Sequence, residues 1–313
     1  MLVLSNSKVL QQENNILEKI KEYMYQEHFK IVLHDLIINE LKNTLPRLNK
    51  ALFPLNEPQP NQETILERLN EYEKLTSNLK KIIITFSQWG DNRHLLLFRR
   101  ILESLSDNIE MDGGKVYWLK LRWYPLFILF YCGGISAIAY ENYRYLYSLF
   151  LCKLQTNDDD YHEQKFLINL LAKNLTQLDR GAEIFKMLPE HKNDFVPVSE
   201  YMFNVVKPIL EDVLFLGKSY ETLFDKFEIF FSLVYADLNT SGKYGPTGRF
   251  VYKYRDRFHG VTKMNLYSQI INEANLKKEN WEPLQAGFFC SSYDRFIEVT
   301  EGYKKFMESL QWY

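Results

Sequence analysis

The chain has 313 residues, 46% of them hydrophobic and 15% aromatic, with a formal net charge of −2. A balance so close to neutral gives no global attraction to nucleic acid or to an anionic membrane. The 13 glycines and 10 prolines are too few for an all-β protein rich in turns, and the length allows one large domain or two.

Helical spacing begins near residue 8, where Ile16, Leu17, Ile20, Tyr23 and Met24 recur at three and four residues. A second helix is expected over 28–52, with Phe29, Val32, Leu33, Leu36, Ile37, Leu41, Leu45 and Leu48 apolar and Pro46 bending or ending it. Three prolines within 54–60 make a loop. The pattern resumes over 61–86, with Asn61 placed as an N-cap and Glu63 favourable beside the helix N-terminus. A turn at 88–92, a helix over 93–105 and a polar loop over 107–114 follow.

Residues 123–140 carry no charged side chain. They are bracketed by Lys120 and Arg122 before and by Glu141 and Arg144 after. Such a run must leave water, into a core or into a bilayer. Pro125, Gly133, Gly134 and the dispersed Tyr124, Tyr131 and Tyr140 argue for a central helix surrounded by other helices. Pro125 suits a first helical turn. Gly133, Gly134, Ser136, Ala137 and Ala139 would let another backbone approach closely.

Beyond this segment, helices are expected over 142–154, 161–175, 178–188, 199–216 and 219–238, then over 263–277 and 291–311. Pro208 is expected to kink its helix. The Gly-rich loop 239–248 opens onto 249–259, the one stretch with period two. Phe250, Tyr252, Tyr254 and Phe258 alternate there with Arg249, Lys253, Arg255, Arg257 and His259, broken at Val251 and Asp256, which reads as a strand or extended arm.

Sequence motifs for catalysis are missing. The six histidines form no H-E-x-x-H. Gly217-Lys218-Ser219 resembles the end of a phosphate-binding loop, but Asp212 stands where a further glycine belongs and bulky residues precede Gly217. Gly217 therefore reads as a helix stop and Ser219 as the next N-cap. No G-x-S-x-G occurs. Cys132, Cys152 and Cys290 are odd in number and form no C-x-x-C, which argues against a disulfide framework or a zinc ribbon. The N-terminus lacks a secretory signal, so a cytoplasmic location is expected. His34 and Asp35 read as a local polar contact, with an enzyme site around His28, His34 and Asp35 as a third possibility.

The best candidate binding residues are Lys243, Arg249, Lys253, Arg255, Arg257 and His259, with Lys263 close behind. Guanidinium forks bind phosphate bidentately, and aromatic faces stack on bases. The plainer reading is an edge arm whose aromatics enter the core while its charges face water. Arg93, Arg99 and Arg100 form a smaller basic patch that reads as a solvated helix face.

Several phrases carry a resemblance. L-H-D at 33–35, Q-W-G at 88–90, the run from Leu121 to Tyr143, G-P-T-G-R-F at 245–250 and P-L-Q-A-G-F-F at 283–289 resemble the helical C-terminal region behind sirtuin-like or other effector domains of large bacterial antiphage-defence proteins. The similarity spans most of the chain. It implies a helical sensing, oligomerisation or scaffold module and no catalytic residue. No dinucleotide-binding glycine motif precedes Arg100.

The expectation is an all-α protein, an irregular multi-helix bundle of helical hairpins with a short extended arm near 249–259. Residues 1–114 would form an N-terminal subdomain and 115–313 the remainder, or the two would be continuous. The expected function is a non-catalytic interaction module without cofactor or metal, binding a protein partner or itself. The alternative is a subunit that binds nucleic acid or a phosphorylated ligand through 243–263.

Overall fold

The structure, a computed structural model, describes residues 16–109, 113–155, 164–239, 245–253 and 265–310. It is an all-α assembly of helices. They are α1 (16–25), α2 (Lys30–Thr44), α3 (Gln62–Leu75), α4 (Ser77–Trp89), α5 (Leu95–Asp107), α6 (Val116–Leu121), α7 (Tyr124–Ala139) and α8 (Tyr143–Phe150). Two short antiparallel strands follow, β1 (Lys153–Gln155) and β2 (Gln164–Phe166), with Leu154 opposite Lys165. The chain continues through α9 (Leu167–Arg180), α10 (Pro197–Leu214), α11 (Tyr220–Leu238), α12 (Arg249–Lys253), α13 (Leu266–Lys277), α14 (Glu282–Gln285) and α15 (Tyr293–Ser309).

Helix α7 is the axis of the packing. It is buried from Tyr124 to Ile138, and 94% of the residues in the most apolar window of 116–139 are covered by the rest of the chain. Pro125 lies in its first turn, as its spacing suggested. Helix α4 lies along one side of α7. The Ser136 hydroxyl donates to the Ile84 carbonyl at 2.9 Å, and a Cβ on Gly133 would come within 2.7 Å of Ile83 Cγ2. On another side, α11 brings Phe227 to 5.3 Å from Phe130 and 4.9 Å from Tyr131, between ring centroids. Gly134 makes room for that ring, because a Cβ there would overlap Phe227. Phe150 of α8 and Phe288 extend the same aromatic cluster. One contiguous apolar core includes residues on both sides of position 114.

Local sequence explains most element ends. Asn61 caps α3 in a capping box, accepting from the Thr64 N–H at 2.9 Å while Thr64 Oγ1 accepts from the Asn61 N–H at 3.0 Å. Asn265 and Ser292 cap α13 and α15 in the same way, each accepting from a backbone N–H three residues on.

The structure differs from the sequence reading at several elements. The helix expected over 61–86 is two helices, parted at Thr76, whose hydroxyl donates to the Tyr72 carbonyl at 2.8 Å. The segment 115–139 breaks between Leu121 and Tyr124. The helix expected over 142–154 ends at Phe150 and gives way to β1, and β2 occupies part of the helix expected over 161–175. Residues 178–188 hold the end of α9 and a 3-10 turn, Phe185–Met187. The expected strand at 249–259 is corrected too: Arg249–Lys253 is helical, and the remainder lies outside the described residues. Phe250 and Val251 are both buried there. Adjacent buried side chains suit a short helix against a core, whereas a half-buried strand would send them to opposite faces.

Gly134→Ala should cost about 1–3 kcal/mol of stability, the range for overpacking a filled core. The check is urea denaturation, in which the midpoint falls while the denaturant slope stays unchanged.

Candidate functional site

Of the candidate residues near the Gly-rich loop, Arg249 can be placed with its side chain. Lys253 lies at the end of α12. Lys243, Arg255, Arg257, His259 and Lys263 lie outside the described residues. Arg249 does not face open water. Its Nε lies 3.2 Å from Glu200 Oε2, its Nη1 lies 3.9 Å from Glu221 Oε1, and its guanidinium sits 3.6 Å from the Phe203 ring centroid. Burial raises the Glu200 pKa, against the pull of Arg249.

The backbone at the start of α12 closes onto a buried carboxylate. The Arg249 N–H donates to Glu228 Oε2 at 3.1 Å and to Ser199 Oγ at 3.0 Å. Ser199 and Tyr131 both donate to Glu228 Oε1. A Cβ at Gly248 would collide with the Glu228 carboxylate, so this approach needs glycine. Glu228, Ser199 and Tyr131 are each almost wholly buried. The cluster therefore fastens the loop to α7, α10 and α11 and offers no route for a substrate. Burial pushes the Glu228 carboxyl up to about 8, while the donors from Ser199 and Tyr131 pull it down.

Other chemistry is limited. Among the described residues no group of three His, Cys, Asp or Glu side chains could hold a metal ion. Cys132 and Cys152 are buried, and burial raises both thiols to about 12, which leaves them protonated and unreactive at neutral pH. His34 Nδ1 lies 3.1 Å from Asp35 Oδ1 with both side chains exposed, and His28 packs on Phe29. This is the local polar contact expected from the sequence.

A concave surface opens elsewhere, between α2 and α5. A cavity of about 280 Å³ is lined by Tyr23, Met24, Leu33, His34 and Leu97, among others. A more open concavity of about 560 Å³ adjoins it along Ile38, Arg99, Arg100 and Glu103, and the two share His34, Leu96 and Leu97. Leu96, on the wall common to both, is 77% exposed. Ile31 is 74% exposed and precedes His34 and Ile38 by three and seven residues, which sets them on one face of α2. The Arg99 Nε donates to Ser148 Oγ at 2.8 Å. The basic patch at Arg93, Arg99 and Arg100 thus edges an apolar groove. Sequence spacing did not reveal this: Val32, placed in the apolar pattern of 28–52, is 42% exposed.

Comparison with protein-family models, with curated proteins and with solved structures gives no match for this chain.

Glu228 supplies a pH test. Its folded pKa lies above the ordinary carboxyl value, so its contribution to stability is full below about pH 4.5 and is lost as pH rises through about 8. Between those limits the melting temperature of the wild type should fall with pH more steeply than that of Glu228→Gln, which cannot ionise. Parallel melting curves across this window would contradict the assignment.

Proposed function

We propose that this chain is a non-catalytic helical interaction module whose protein partner seats in the groove between α2 and α5. One observation carries the reading: Leu96, large and mostly exposed, lines a concave apolar surface shaped by buried neighbours, and the mostly exposed Ile31 lies on the same face of α2 as the lining residues His34 and Ile38. Exposed apolar side chains grouped around a cavity are uncommon unless something covers them. The resemblance to helical regions of bacterial antiphage-defence proteins supports such a setting, in which the module assembles or senses.

The proposed occupant is a second copy of the chain. The groove carries both signs of charge, with Lys30, Arg93, Arg99 and Arg100 beside Glu27 and Glu103, and Arg93 is already paired with Asp91 at 2.6 Å. A two-fold contact joins the same patch on each copy, so cations of one can meet anions of the other. A surface of one dominant sign would instead favour a partner of opposite charge. Nucleic-acid binding through 243–263 draws less support, because Arg249 is engaged by Glu200, Glu221 and Phe203.

Sedimentation velocity over a concentration series tests this. The wild type should dimerise, and Ile31→Glu with Leu96→Glu should be monomeric with stability changed by no more than about 0.5 kcal/mol, as expected for exposed positions. A wild type that stays monomeric at the highest concentration contradicts a second copy as the occupant. A dimer that survives the double substitution contradicts the groove.

A further inference from the structure

Helix α10 ends on a residue that its backbone disfavours. Phe215 closes it at φ 53° and ψ 54°, its N–H donating to the Glu211 carbonyl at 3.0 Å. That left-handed position suits glycine, because a Cβ there crowds the following carbonyl oxygen. The ring gains nothing in return. Phe215 is 92% exposed, more than any other large apolar side chain among the described residues. Phe289 shares the left-handed backbone but is 2% exposed and packs on Phe296, with ring centroids 5.1 Å apart, so its core contacts offset the strain. At position 215 a glycine would serve the free chain better on both counts. A side chain unfavourable on two independent grounds points to a contact outside its own chain.

Shape and charge select the surface that the ring meets. The groove between α2 and α5 is hollow, with about 280 Å³ lined by Tyr23, Met24, Leu33, Leu96 and Leu97 among others. Two such grooves face to face would set hollow against hollow, and unfilled space forfeits dispersion contacts. A protruding ring fills a hollow, as buried aromatic anchors do at interfaces. Phe215 stands in the turn between α10 and α11, where Glu211 and Asp212 face a single cation, Lys218. That is an excess of one negative charge, and the C-terminal end of α10 adds to it. Around the groove Lys30, Arg99 and Arg100 stand against Glu27 and Glu103, an excess of one positive charge once Arg93 is set against Asp91. An acidic turn suits a basic rim.

We propose that Phe215 of one copy is the side chain that seats in the α2–α5 groove of a second copy. This inference rests on the groove reading above and names what fills the groove. In a two-fold pair, residue i of one copy meets residue j of the other and the reverse, so each copy gives one turn and receives one.

Cross-linking and sedimentation velocity on the whole chain test it. Cys290 is exposed whereas Cys132 and Cys152 are buried, so Cys290→Ser is the background. Chains carrying Phe215→Cys and Leu96→Cys are mixed under mild oxidation. Disulfides should join position 215 of one copy to position 96 of the other. Their absence overturns the proposal, as do disulfides joining 96 to 96 in their place, which set groove against groove. In sedimentation, Phe215→Gly should weaken self-association about tenfold or more and yet melt no lower than the wild type when both are dilute monomers. Association as tight as in the wild type overturns the inference. If Ile31→Glu with Leu96→Glu then still abolishes association, the groove reading stands without Phe215. A lower melting temperature for Phe215→Gly also counts against it, because the ring then serves its own fold. A wild type that stays monomeric throughout overturns both readings.

Discussion

A helix of 16 residues without a formal charge has no face to offer water, and most of this molecule follows from covering α7. Burying a large apolar side chain contributes about 1.5–3 kcal/mol, and α7 buries such side chains on every side. Two glycines set how close the neighbours come. Gly133 admits the Ile83 side chain of α4 and Gly134 admits the Phe227 ring of α11. The aromatic rings then meet largely edge to face, as between Phe130 and Phe231 at 5.0 Å, the arrangement that aromatic quadrupoles favour.

Such a core leaves little room for polar groups, and those it holds are mostly tied together. Tyr124 of α7 and Tyr201 of α10 both donate to Glu73 Oε1, at 2.7 and 3.1 Å. Glu228 collects Tyr131, Ser199 and the Arg249 backbone. Each network joins elements far apart in sequence, and each would be costly to half-break, because a buried polar group without its partner loses its hydration unrewarded. Arg122, Tyr72, Ser87 and Trp281 are among the departures from this rule, each with a buried nitrogen or oxygen that has no hydrogen-bond partner. The surface groove departs in the other sense, leaving apolar side chains uncovered.

Much of the architecture was legible in the sequence. The apolar run with Pro125 at its start announced a central helix, and Asn61 announced the start of α3. What failed did so for local reasons. Thr76 bonds back to the Tyr72 carbonyl and parts two helices whose apolar spacing runs on without a break. The strands at 153–155 and 164–166 are three residues each, too short for a periodic signal. At 249–259 alternating aromatic and basic residues implied a strand, but the core that buries both Phe250 and Val251 selects a helical turn over Arg249–Lys253. The candidate site was less legible. Leu96 and Ile31 drew no separate reading from the sequence, and only the folded chain shows that they are exposed. Arg122 read as a charge flanking an apolar segment, and only the tertiary arrangement of Leu48, Tyr72 and Asn108 around it shows that it is buried.

Hydrogen exchange in detergent-free buffer tests most directly whether α7 is covered by its own chain. Amide protons from Leu129 to Ile138 should be among the slowest in the molecule and should exchange only through global unfolding, so that their opening free energy equals the stability from denaturant titration. Rapid exchange of these amides in buffer, or slow exchange only after lipid or detergent is added, would contradict the account.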